Sequence, residues 1–276
     1  TAFGHGCFFR NGTIRRVTQS ATATSYHHFA LSWHDHYEAD LSCIQMLNTG
    51  VLDASVGGVF LVDSSGSVTS LNIKGFGHVL ETRNTVHDLL LDNIRIDASA
   101  DNANGQYGIV FGGTAPISAS MRIGTIEIAN FNSAMFHWTS DWTSNPNRTY
   151  TTIDRLILDG REFRTVRPFS LANLTPPGTV CTLSGGSPEM VAATAPAREQ
   201  WICIDYPSSN WALCARDAGW VLYSGSAASA GDHLIAHTDG TAKKDNTAAP
   251  SPSTKWCAIM PSSGGFCQVE RVGNVA

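Results

Sequence analysis

Apolar and polar residues alternate in short runs along the first two-thirds of the chain, and helical spacing is not sustained there. Residues 66–84 show the unit. Val68, Ser70 and Asn72 alternate with Thr69, Leu71 and Ile73, which reads as a half-buried strand. A small-residue corner comes next at Gly75-Phe76-Gly77, then a second short strand at 78–83. Strands of the first kind recur around Ile14, Ile44, Ile73, Ile94, Ile126 and Ile157. These anchors lie roughly 20 to 32 residues apart, a spacing found in solenoids with variable loops. Strands of the second kind are expected at 28–33, 58–62, 78–82, 107–111, 133–137 and 164–168. Gly57, Gly75, Gly105, Asn130 and Gly160 mark corners, where the left-handed conformation that Gly and Asn tolerate is useful.

The pattern predicts an all-β fold, a right-handed parallel β-helix whose rungs bury one another's inner faces, followed by small C-terminal β modules. A β-sandwich is the rival, since it also uses regular short strands. Pro176-Pro177-Gly178 breaks the ladder, because paired prolines cannot continue it. The expected domains are 1–175, the C-terminal portion of a β-helix with upstream rungs missing, then a β hairpin module at 176–224 and a β cap module at 225–276. In the hairpin module two strands flank Pro207-Ser208-Ser209-Asn210, and a third is expected at 218–223.

Composition narrows the function classes. Charged residues make up 15% and the net charge is −5, with no Lys/Arg block, so nucleic acid is not an expected partner. No apolar run approaches the roughly 18 residues of a spanning helix, so membrane insertion is not expected either. The chain begins at Thr1, without Met, which suggests a fragment or a processed product. Seven cysteines occur without a CxxC, which argues against structural zinc. Cys203/Cys214 and Cys257/Cys267 are each spaced to bridge a hairpin, but an odd count without a regular framework favours reduced, buried thiols.

Two rung strands, Asn11-Gly12-Thr13-Ile14 and Asp92-Asn93-Ile94-Arg95-Ile96, carry a family resemblance. So does the order of parts: rungs, a Pro-Pro break, a hairpin unit ending in Gly219-Trp220, and a small β cap. The chain resembles the C-terminal portion of bacteriophage tailspike and capsular polysaccharide depolymerase proteins of the pectate-lyase-like β-helix type. That resemblance implies a homotrimeric spike on the virion tail, extracellular on release, joined to other virion proteins through its N-terminal part. It implies host attachment through surface polysaccharide, which such proteins bind and often cleave or deacetylate. A polysaccharide hydrolase or lyase is then expected, with a non-enzymatic receptor-binding spike or a structural virion protein as alternatives. Trp201, Trp211, Trp220 and Trp256 are expected to be partly buried between subunits.

Glycan chemistry directs attention to particular side chains. Hydrolysis needs a carboxylate pair, and lyase chemistry needs a base beside a cation. The densest stretch is Trp33-His34-Asp35-His36-Tyr37-Glu38-Ala39-Asp40, which reads equally as a polar loop. His34 and His36 alternate, yet no third ligand accompanies them, so no metal or cofactor is expected. A second stretch, 136–142, holds His137, Trp138, Asp141 and Trp142, residues that suit sugar stacking or plain core packing. Stacked second strands would set their ends about 4.8 Å apart, forming a lengthwise strip. The expected catalytic residues are Asp35, Asp63, Glu81 and His137. Substrate binding is expected from Trp33, Arg83, Trp138, Asp141, Trp142 and Arg167. An ordinary polar edge is the alternative.

Overall fold

The computed structural model describes residues 4–5, 8–16, 28–34, 36–37, 39–48, 56–62, 65–74, 78–83, 89–97, 107–112, 121–130, 136–138, 152–170, 176–184, 187–190, 200–208, 211–237, 239–245 and 256–272. Every regular element among them is a β-strand. The chain divides into two compact units, Thr1–Gly160 and Arg161–Ala276.

Unit one opens with β1 (Gly4–His5), β2 (Phe8–Arg10), β3 (Thr13–Arg16), β4 (His28–His34) and β5 (His36–Tyr37). It continues through β6 (Ala39–Asn48), β7 (Val56–Val62), β8 (Gly66–Lys74), β9 (His78–Arg83) and β10 (Leu89–Asp97). It ends with β11 (Tyr107–Gly112), β12 (Met121–Ala129), β13 (Phe136–Trp138) and β14 (Thr152–Leu158). From β6 onward, successive strands alternate between two sheets. The long sheet runs β6-β8-β10-β12-β14, with β2 and β3 both on the free side of β6. The second sheet is β4-β7-β9-β11-β13, and β1 pairs with β5 apart from both. All these pairings are parallel. Parallel neighbours need a crossover between them, and here each crossover passes through a strand of the other sheet. Along the row Phe8, Asp40, Ser67, Leu90, Arg122, Thr152, partners are 32, 27, 23, 32 and 30 residues apart.

Three rows of the long sheet form the core: Leu41, Val68, Leu91, Ile123 and Ile153; then Ile44, Leu71, Ile94, Ile126 and Leu156; then Met46, Ile73, Ile96, Ile128 and Leu158. Each of these side chains is at most 5% exposed. Burying one is worth about 1.5–3 kcal/mol. The rows are unevenly spaced, with two residues between the first and second and one between the second and third. Strict alternation cannot do this. The extra residue takes up the difference in a left-handed conformation: Cys43, Ser70 and Asn93 have φ of 54°, 55° and 52°, and Asn11 has 54° at the same level. This displaces the isoleucine anchors. Ile44, Ile94 and Ile126 share the middle row, Ile14 and Ile73 lie in the third, and Ile157 pairs with Glu127 between them.

The left-handed row stops at β12. There Asp92 Oδ1 accepts hydrogen bonds from the Asn93 N–H (2.8 Å) and, one strand over, from the Thr125 N–H (2.7 Å). Gly124 leaves room for that carboxylate, which a Cβ at 124 would strike.

Unit two contains β15 (Arg161–Ser170), β16 (Val180–Ser184), β17 (Ser187–Met190), β18 (Gln200–Ser208) and β19 (Trp211–Leu222). It also contains β20 (His233–Ala236), β21 (Ala242–Lys244), β22 (Trp256–Ala258) and β23 (Phe266–Arg271). Its strands pair antiparallel, in the order β15-β19-β23-β22-β20-β21, with β18 on β19, and β16 joining β18 to β17. The strands expected on either side of Asp217 are one continuous strand of 12 residues. Pro176-Pro177-Gly178-Thr179 forms a turn, closed by the Thr179 N–H donating to Pro176 O (3.1 Å), with Gly178 at φ 88°. That is the third-position geometry of a type II turn, which favours Gly. Gly178 also donates to Cys203 O and accepts from the Leu222 N–H, so the turn packs inside this unit.

Phe169, Cys181, Trp201, Cys203, Ala212 and Cys214 form a buried cluster in unit two, with the Phe169 and Trp201 rings edge to face at 4.7 Å. Cys203 and Cys214 face each other across β18 and β19, yet neither is in a disulfide, and the same holds for Cys257 and Cys267. Burial first, then the neighbouring Cys203, pushes the Cys214 thiol well above its ordinary pKa and so favours its protonated form. Trp201 and Trp256 are buried within the unit, and the Trp256 indole N–H donates to Gln200 Oε1 (3.1 Å). Their burial therefore requires no second subunit. Trp220 is half-buried and lies beneath the Arg161 guanidinium (5.3 Å), which also covers Phe266 (4.8 Å).

Candidate functional site

The expected strip is to be sought on the five-stranded sheet, described here by its backbone and by the side chain of Val59. Val59 is fully buried, and its row is Leu31, Val59, Leu80, Ile109, Phe136. One residue further along, the row is Ser32, Phe60, Glu81, Val110, His137. Glu81 and His137 thus share a row with one strand between them, about 10 Å apart at the usual strand spacing. The next row is Trp33, Leu61, Thr82, Phe111, Trp138, and the one after it sets Arg83 between Val62 and Gly112.

Rows alternate in parity along these strands. Glu81, Arg83 and His137 have one parity. Trp33 and Trp138 have the other, which is that of Val59, and they stand at opposite edges of the sheet. Arg167 lies elsewhere: it is half-buried in β15, opposite Cys214 of the antiparallel β19. Asp35, Asp63, Asp141 and Trp142 are outside the described residues. Among the described residues no group of three His, Cys, Asp or Glu side chains is placed to hold a metal ion, and no helix is long and apolar enough to cross a membrane.

The outward face of the long sheet carries chemistry that alternation alone did not bring out. Ion pairs bridge most of its neighbouring strands. Arg10 pairs with Asp40, Lys74 with Asp97 (3.0 Å), Arg95 with Glu127 (3.3 Å) and Arg122 with Asp154 (3.6 Å). These pairs are exposed, so each contributes at most about 1 kcal/mol. Among the described residues the β6–β8 seam has no such pair. It carries neutral groups instead, Gln45 beside Asn72, with Thr13 completing the row on β3.

A groove of about 360 Å³ opens at this seam, lined by Asn11, Gly12, Thr13, Cys43, Gln45 and Ser70, with Asn72 at its far side. It is adjoined by a second cavity of about 190 Å³ that shares Thr13, Gln45 and Asn72 and adds Arg15, Leu47 and Lys74. The left-handed residues Asn11, Cys43 and Ser70 contribute to the wall of the groove. The sequence signal for this feature is the repeated apolar-x-x-apolar-x-apolar spacing, as in Leu41-Ser42-Cys43-Ile44-Gln45-Met46 and Val68-Thr69-Ser70-Leu71-Asn72-Ile73.

No protein-family model matches the chain, and a search of curated proteins finds no match.

Proposed function

We propose that unit one is a right-handed parallel β-helix and that the chain is a tailspike-like virion protein that binds host surface polysaccharide and degrades it. The alternation of strands between two parallel sheets supports the coil. The observation that carries the functional reading is the shared row of Glu81 and His137, with Arg83 at the same parity. A sugar spanning one intervening strand would meet a carboxylate, an imidazole and a guanidinium. In this reading Glu81 moves the proton at the glycosidic oxygen or at a uronate carbon, His137 assists, and Arg83 holds a carboxylate or stabilises developing negative charge. Asp63 or Asp35 would be the second carboxylate that hydrolysis requires. Trp33 and Trp138 have the parity of the buried Val59, so the proposal gives sugar stacking to Trp142 and hydroxyl binding to Asp141.

The test is incubation with capsular polysaccharide or lipopolysaccharide, following new reducing ends, released acetate and unsaturated-uronate absorbance. Glu81→Gln and Asp63→Asn are each expected to lower the rate by about 100-fold or more while leaving the protein folded. Full activity in both variants would remove these residues from the site. Binding without cleavage is a second reading, favoured by the neutral, amide-lined groove at the β6–β8 seam. A glycan array that responds while no product forms would select it.

A further inference from the structure

The groove at the β6–β8 seam is a candidate binding site separate from the row of Glu81 and His137. Its chemistry is that of a receptor for hydroxyl groups. Asn11, Thr13, Gln45 and Asn72 are exposed, and among the described residues their side chains have no hydrogen-bond partner. Amides and hydroxyls both donate and accept, which matches a sugar hydroxyl in either role. Gln45 and Asn72 sit on adjacent strands about 4.8 Å apart, close to the advance of a glycan chain per sugar.

Two residues further along the strands, the row Arg15, Leu47, Lys74 is cationic at both ends and lines the adjoining cavity. Arg15 is exposed and has no ion-pair partner among the described residues, whereas Lys74 is held by Asp97 (3.0 Å). A free guanidinium beside a neutral, hydrogen-bonding groove selects a carboxylate, which it can bind through two parallel bonds. The larger cavity falls within the size range of small-ligand sites.

We infer that this groove binds an acidic oligosaccharide, with sugar hydroxyls on Thr13, Gln45 and Asn72 and a sugar carboxylate on Arg15. The inference rests on the polysaccharide reading above and names the sugar class and place of a second contact.

Cys43 supplies the assay, because its thiol is exposed in the groove wall. The rate of maleimide modification at Cys43 is followed by peptide mass spectrometry. The probes are a panel of acidic tetrasaccharides built from galacturonate, glucuronate or sialate, with cellotetraose as the neutral control. An acidic tetramer at about ten times its Kd is expected to slow modification about tenfold. Arg15→Gln is expected to weaken that tetramer about tenfold or more, and cellotetraose is expected to give little protection with or without Arg15. Gln45→Ala with Asn72→Ala should abolish protection. If the chain binds polysaccharide but no tetramer protects Cys43, the groove is not a glycan site and the polysaccharide reading survives. Equal protection by cellotetraose, indifferent to Arg15→Gln, overturns the acidic class. No binding of any saccharide by any readout overturns both.

Discussion

Asp239 shows how much one carboxylate can depend on its neighbours. Its Oδ1 accepts hydrogen bonds from Thr241 Oγ1 (2.6 Å) and the Thr241 N–H (2.9 Å), and His237 Nδ1 stands 3.1 Å away. The Thr241 bonds come first among the causes that hold its pKa down, from 3.8 to about 2. A folded value below the unfolded one means stability that is fully present above 3.8 and lost as pH falls through about 2. Asp239→Asn should therefore flatten the dependence of Tm on pH within that acid window and leave its shape unchanged at neutral pH. Circular dichroism melts of the two proteins check this, and coincident slopes would refute it. Some slope will remain, because Asp217 and Asp232 are also held low. At Asp217 burial pushes the carboxyl up, but hydrogen bonds from Arg216 and Thr165, with the charges of Arg216 and Arg271, outweigh it.

At the scale of the element, Gly124 and Asp92 tie β10 to β12. Gly124→Ala would drive its methyl into the Asp92 carboxylate and cost about 1–3 kcal/mol of unfolding free energy. Asp92→Ala loses the bond to the Thr125 N–H, about 1 kcal/mol or more. In the double variant the clash disappears, so the two losses should add to less than their sum in urea denaturation. Strict additivity would show that the carboxylate does not constrain residue 124. Alternation was enough to place the strands of the long sheet, because each buries one face there. It was not enough to set the rows. Asn11 and Asn93 are residues known to tolerate a left-handed backbone, but Cys43 and Ser70 carry no such mark, and each shifts the parity of the later residues in its strand. The same limit applied to the site. Glu81 and His137 do share a row, but whether Trp33 and Trp138 join them depends on residue counts through connections of unequal length. Arg167 looked like one more rung end, and only the antiparallel partner β19 shows otherwise.

For the whole molecule the proposal requires three chains. Light scattering should return a mass near three times 29.6 kDa, and a monomer at micromolar concentration would contradict the spike reading. The tryptophans of unit two give that assembly less support than their number suggests, since Trp201 and Trp256 are already buried within one chain.

The partner offsets of the long sheet carry a last consequence. Neighbouring strands keep register whether 23 or 32 residues separate their partners. Closing a longer connection costs little extra entropy, roughly 0.6 kcal/mol per doubling. Insertions and deletions can therefore accumulate between strands while the rows stay aligned. Such a chain can change the length of its connections and leave its scaffold untouched.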